Sequence, residues 1–143
     1  MNQILIVYWS GTGNTAAMAE MVASGIREAG KEPVIIPAEE AAAEQLSSFQ
    51  AAAFGCPSMG DETLEESVME PFVEAAEKNV SGKTIGLFGS YGWGDGQWMR
   101  DWEDRMKAAG AVLVGREGVI ASEAPDGDAL EQCRALGREL ASL

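Results

Sequence analysis

Apolar residues in this chain gather into short unbroken runs, and the segments between them carry a helical period. Residues 4–9, 34–36, 51–56 and 84–89 read as buried strands. A fifth run, 112–114, resumes at Val119-Ile120 after a glycine-containing break. Runs that stay apolar rather than alternate predict a sheet covered on both faces. The third run, rich in alanine, has the weakest strand propensity. Met18, Met21, Val22, Gly25 and Ile26 share one helical face, and Gly30 ends that helix. Leu64, Val68 and Phe72 make a second stripe, with Pro71 inside it as a kink. Trp98, Met99, Trp102, Met106 and Ala109 make a third, starting near Asp95 or Gly96 and stopping before Gly110. Leu130, Cys133, Leu136 and Leu140 make a fourth, opening near Asp126 or Asp128. Residues 38–48 read as a weak, mostly loop-like crossover.

Strands alternating with helices predict a parallel sheet joined by right-handed crossovers. Ligands on such sheets bind beyond the carboxyl ends of the strands, where the winding direction reverses. The loops after Trp9, Cys56 and Gly89 are therefore the places to look for a site. The 143 residues fit one domain, with no internal repeat, low-complexity tract or linker.

The first of these loops is Ser10-Gly11-Thr12-Gly13-Asn14-Thr15. Its backbone N–H groups point at whatever sits on the following helix N-terminus, where the dipole favours an anion. Ser10, Thr12 and Thr15 add hydroxyls and Asn14 an amide, so a phosphate monoester can be held by neutral donors alone. The lysine of a Walker loop is missing. Gly11, Gly13 and Ala16 formally match a dinucleotide fingerprint, but the hydroxyl density suits a terminal phosphate better. No acidic residue falls at the end of the second strand, near Ile36 and Pro37. The bland alternative is a plain capped turn. The second loop, Pro57-Ser58-Met59-Gly60-Asp61-Glu62, and the third, Ser90-Tyr91-Gly92-Trp93-Gly94-Asp95-Gly96, offer apolar plates on glycine-rich backbone. A flat aromatic ligand can stack between Met59 and Trp93 or Tyr91.

Charge narrows the classes further. Ten Lys and Arg against 23 Asp and Glu give a net charge of −13, and there is no histidine. Nucleic-acid binding is disfavoured, and histidine-based catalysis or metal ligation is excluded. No run approaches the roughly 20 apolar residues of a membrane span. The opening Met1-Asn2-Gln3 shows no basic region or cleavage pattern, so the expectation is a cytoplasmic protein without a signal peptide. Cys56 and Cys133 read as buried free thiols. Asp61-Glu62 and Glu65-Glu66 read as acidic runs suited to steering basic partners, or as ordinary solvated surface.

Tyr8 to Thr15, Met59-Gly60-Asp61-Glu62 with Leu64 to Ser67, and Gly89 to Gly96 with Trp98-Met99 together resemble flavodoxins of the short-chain, anaerobic-bacterial type, almost from end to end. The fifth strand lacks the long insertion of the other branch. The resemblance implies one doubly wound α/β domain over residues 1–143. Its five-stranded parallel sheet would run in the order 2-1-3-4-5, with helices on both faces. It also implies a low-potential one-electron carrier, not an enzyme, whose non-covalent FMN cycles between semiquinone and hydroquinone. Ser10, Gly11, Thr12, Gly13, Asn14 and Thr15 would hold the phosphate. Met59 would lie on the inner ring face and Trp93 on the outer, beside Tyr91. Glu62 would meet the N3 edge, Gly92 and Gly94 the pyrimidine side, and Ser90 the ribityl-phosphate side. The Gly60-Asp61 peptide would turn over on reduction. Pro57 stands where some relatives carry a phosphate-binding serine, and Ser58 is the adjacent substitute. No metal is implied. Partners would be redox proteins with basic docking surfaces, such as ferredoxin-type reductases or oxidoreductases, met by a monomer without nucleic acid or membrane. The alternatives are an FMN-dependent reductase of quinones or nitro compounds, a phospho-receiver module and a plain nucleotide-binding module. The receiver lacks its acidic cluster, because the first and third strands end in Trp9-Ser10 and Cys56-Pro57.

Overall fold

The computed structural model describes residues 2–60, 62–92, 94–115 and 118–142. The apolar runs become β1 (Gln3–Tyr8), β2 (Glu32–Pro37), β3 (Ala51–Gly55) and β4 (Thr84–Tyr91). The interrupted fifth run becomes β5 (Val112–Leu113) and β6 (Val119–Ser122), both paired in parallel with β4. The order is β2-β1-β3-β4, with the two halves of the fifth strand beyond β4, and every paired strand is parallel.

Successive strand residues point to opposite faces, so each run feeds two cores. Leu5, Val7, Phe54, Ile85 and Leu87 pack on one side with α2 (Met69–Ala76) and α3 (Gln97–Ala108). Ile4, Ile6, Ala51, Ala53 and Phe88 pack on the other with α1 (Asn14–Glu28) and α4 (Gly127–Ala141). Small alanines suit β3 because it is buried along its whole length between two helical layers. The crossover at 38–48 is two 3₁₀ turns, Ala38–Glu40 and Ala43–Ser48, which seat Leu46 in the core. Asp126 caps α4 by accepting a hydrogen bond from the Ala129 N–H at 2.8 Å.

One helix differs from its sequence pattern. The stripe of Leu64, Val68 and Phe72 predicts a helix from about Leu64, yet α2 starts at Met69. The Glu65 carboxylate takes the backbone N–H groups of Ser67, Val68 and Met69. Residues 64–68 are thereby held in a turn that delivers the chain into the helix. Pro71 falls in the first turn of α2, where no intrahelical N–H is needed, so it does not act as a kink.

Candidate functional site

At the carboxyl ends of β1, β3 and β4 lies a cavity of about 330 Å³. It is lined by Gly11, Thr12 and Asn14 from the first loop, Pro57, Ser58 and Met59 from the second, and Ser90, Tyr91 and Gly92 from the third. The three loops singled out by the strand ends thus meet in one place.

The first loop is built as an anion cradle. α1 begins after Gly13, whose φ of 96° is a left-handed turn and which has no capping side chain of its own. The dipole at its N-terminus favours an anion. Ser10 Oγ accepts from the N–H groups of Gly13 at 3.1 Å and Ala16 at 3.3 Å, so its oxygen organises the loop. Thr15 is buried, and its hydroxyl meets Ser90 Oγ at 3.2 Å, joining the first loop to the end of β4. Ser10, Gly13 and Thr15 therefore shape the cavity from behind rather than line it. No lysine or arginine lines it among the described residues.

The second loop turns sharply. Met59 and Thr63 exchange two backbone hydrogen bonds of 2.8 Å, with Gly60 at φ 49° between them. The Ser58 N–H donates to the Ser90 carbonyl at 2.9 Å, extending the β3–β4 ladder into the rim. Glu62, expected at a ring edge, has Oε1 committed elsewhere. It accepts from the Asp95 and Gln97 N–H groups, both at 3.2 Å, and so caps α3 from a neighbouring loop. Gly94 leaves the room for it: a Cβ there would sit 2.3 Å from Glu62 Oε1. Glu62 and Gly94 are brought together beside the cavity, without lining it. Asp61 and Trp93, assigned to the turning peptide and the outer ring face, lie outside the described residues.

Glu65 is a correction to the acidic-run reading. It is buried, and its carboxylate also accepts from Ser67 Oγ. Burial pushes its pKa up, but the hydrogen bonds from Ser67, Met69 and Val68 outweigh this and hold it at about 2. Glu65 is thus a structural anion, whereas Glu66 is exposed. Cys56 and Cys133 are buried free thiols as expected, both raised to about 12 by burial.

Two cavity residues escaped the sequence assignment. Trp9 precedes the first loop and was read only as the end of a strand. Glu123 follows β6, with φ 57° and its N–H donating to the Tyr91 carbonyl at 2.7 Å. The strand-end rule that selects the other loops also covers this one, once β6 is seen as a continuation of the fifth strand.

A protein-family model described as flavodoxin matches residues 6–137. The chain is 47% identical over 138 residues to a flavodoxin of Clostridium beijerinckii, covering 96% of this chain and 99% of that one. It is 42% identical over 136 residues to a flavodoxin of Megasphaera elsdenii, covering 95% and 96%. The solution structure of two-electron reduced Megasphaera elsdenii flavodoxin superposes with a TM-score of 0.90 at 41% identity, covering 98% of this chain and 99% of that one.

Proposed function

The chain belongs to the flavodoxin family, and on that premise we propose that the rim cavity is its FMN site and residues 1–143 its single domain. Flavodoxins are electron-transfer proteins rather than enzymes, and the electron-carrying chemistry is that of bound FMN. The reductase alternative is not favoured. One observation carries the site assignment: the N-terminus of α1 and neutral donors share a 330 Å³ cavity with Met59 and Tyr91. That combination suits a phosphate at one end of a ligand and a flat ring at the other.

Gly11, Thr12 and Asn14 hold the phosphate from the cavity wall, with Ser10, Gly13 and Thr15 shaping the loop behind them and Ser90 supporting Thr15. Pro57 has no hydroxyl or N–H to offer, and Ser58 in the same wall supplies the hydroxyl. Met59 lies on the inner face of the ring and Trp93 on the outer, with Tyr91 and Gly92 along the wall. Gly60 and Asp61 form the responsive peptide, and Glu62 and Gly94 fix the edge of the site. Partners are redox proteins, and the net charge of −13 matches basic docking surfaces on them. The protein acts as a cytoplasmic monomer.

Titrating apoprotein with FMN and with riboflavin tests this. The expected result is a yellow complex that reduces in two separate one-electron steps and prefers FMN, since riboflavin lacks the phosphate. Failure to bind FMN, or equal affinity for both, overturns the assignment.

A further inference from the structure

Every polar group of Cys56 is engaged. Its N–H continues the ladder to the Phe88 carbonyl at 3.1 Å, and its carbonyl accepts from Trp98 Nε1 at 3.1 Å. Its Sγ accepts from the Glu65 N–H at 3.4 Å and lies 3.4 Å from the Pro57 carbonyl, to which the S–H donates. On the far side, the Glu65 carboxylate collects the Ser67, Val68 and Met69 N–H groups at 2.9, 2.7 and 3.0 Å. The limbs of the Met59 loop are thus tied into one buried chain. The outgoing limb is held at Pro57 and the returning limb at Glu65, with the thiol between them. Neither Cys56 nor Glu65 lines the 330 Å³ cavity. A hollow of about 470 Å³, lined by Met59, Gly60, Thr63, Glu65, Glu66 and Ser67, lies on the other side of the loop. The loop therefore has little packing of its own beneath Gly60, and its position depends on how its limbs are held.

We infer that Cys56 and Glu65 are positioning residues that brace the Met59 loop against the flavin, so that the brace sets how the site distinguishes the cofactor's oxidation states. The inference rests on the FMN reading above. Burial keeps the thiol protonated, with its pKa up at about 12, so it can donate as well as accept. Alanine at Cys56 severs both links. Serine keeps a donor and an acceptor in the same place. Alanine at Ser67 removes one of the four groups that hold the carboxylate.

The test compares wild type with Cys56→Ala, Cys56→Ser and Ser67→Ala, all of the same net charge, so that a shift in potential reports geometry rather than Coulomb effects. FMN affinity, the two one-electron midpoint potentials and the urea midpoint of the apoprotein are measured on each. Cys56→Ala is expected to weaken FMN about tenfold. It also changes the ratio of affinities for successive oxidation states about tenfold, or about 59 mV in the spacing of the potentials. Ser67→Ala moves both in the same direction by less, and Cys56→Ser recovers at least half of the alanine effect. Variants that lose stability but keep wild-type affinity and potentials overturn the brace, because a simple helix cap would behave that way. If Cys56→Ala does not fold, Ser67→Ala decides the matter on the same readouts. A wild type that takes up no FMN overturns the underlying reading, and the brace with it.

Discussion

Replacing Gly94 by alanine probes the contact that joins the second and third rim loops. Gly94 has φ 87°, where an L-residue is strained by about 1–2 kcal/mol. The new Cβ would stand 2.3 Å from Glu62 Oε1 and 2.5 Å from Cδ. The carboxylate is the free end of a flexible side chain, so it swings away at little steric cost. To reach ordinary contact it must retreat by roughly 1 Å. That takes it out of range of Asp95 and Gln97 N–H groups that are already at 3.2 Å. Two partly solvated hydrogen bonds are lost, at about 1 kcal/mol each. The total is about 3 kcal/mol, read as a lower urea midpoint of the apoprotein. Glu62→Ala alone should cost only the hydrogen bonds. In the Glu62→Ala background, Gly94→Ala should cost only the backbone strain. The double-mutant cycle should therefore return a coupling of about 2 kcal/mol. Strictly additive effects would refute the clasp.

Gly137→Ala should destabilise by about 1–3 kcal/mol despite the better helix propensity of alanine, because its Cβ would lie 2.0 Å from the Val22 carbonyl oxygen, a backbone atom of α1. Gly127→Ala, in the same helix but facing open space, should instead stabilise by up to about 1 kcal/mol in the same urea assay. The Glu65 carboxyl is held at about 2 when folded, against an ordinary 4.5, so the folded protein binds fewer protons than the unfolded chain. Its contribution, about 3 kcal/mol, is fully present above pH 4.5 and is lost as pH falls towards 2; Glu65→Gln should flatten that part of the acid-denaturation profile. Electron transfer to a basic partner protein should slow steeply as ionic strength rises in stopped-flow measurements, and a flat dependence would remove the steering role of the acidic surface.

The sheet was legible because a strand buried on both faces admits few polar side chains, and residues 4–9 and 85–89 contain none. The rim loops were legible because Gly13, Asn14 and Thr15 combine a turn with donors that a plain connection does not need. The stripe at Leu64, Val68 and Phe72 misled because periodicity registers burial, not hydrogen bonding. Leu64 is buried, but the Glu65 carboxylate has claimed the N–H groups that would mark an earlier helix start. Glu62 and Glu65 look alike in sequence to the solvated acids around them. Only the hydrogen bonds they accept from backbone N–H groups, 33 and 35 residues away for Glu62 and two to four residues on for Glu65, give them structural roles.

The fifth strand pairs Leu113 with Ile85 and then Val119 with Phe88, so six steps along it answer to three on β4. Three surplus residues are spliced out of the ladder, and Glu103 on α3 takes the Gly118 N–H as the strand resumes. Both halves keep parallel pairing, which makes the detour an expansion joint. Beyond it, Tyr91 and Ser122, where the repaired ladder reaches the rim, pair in step.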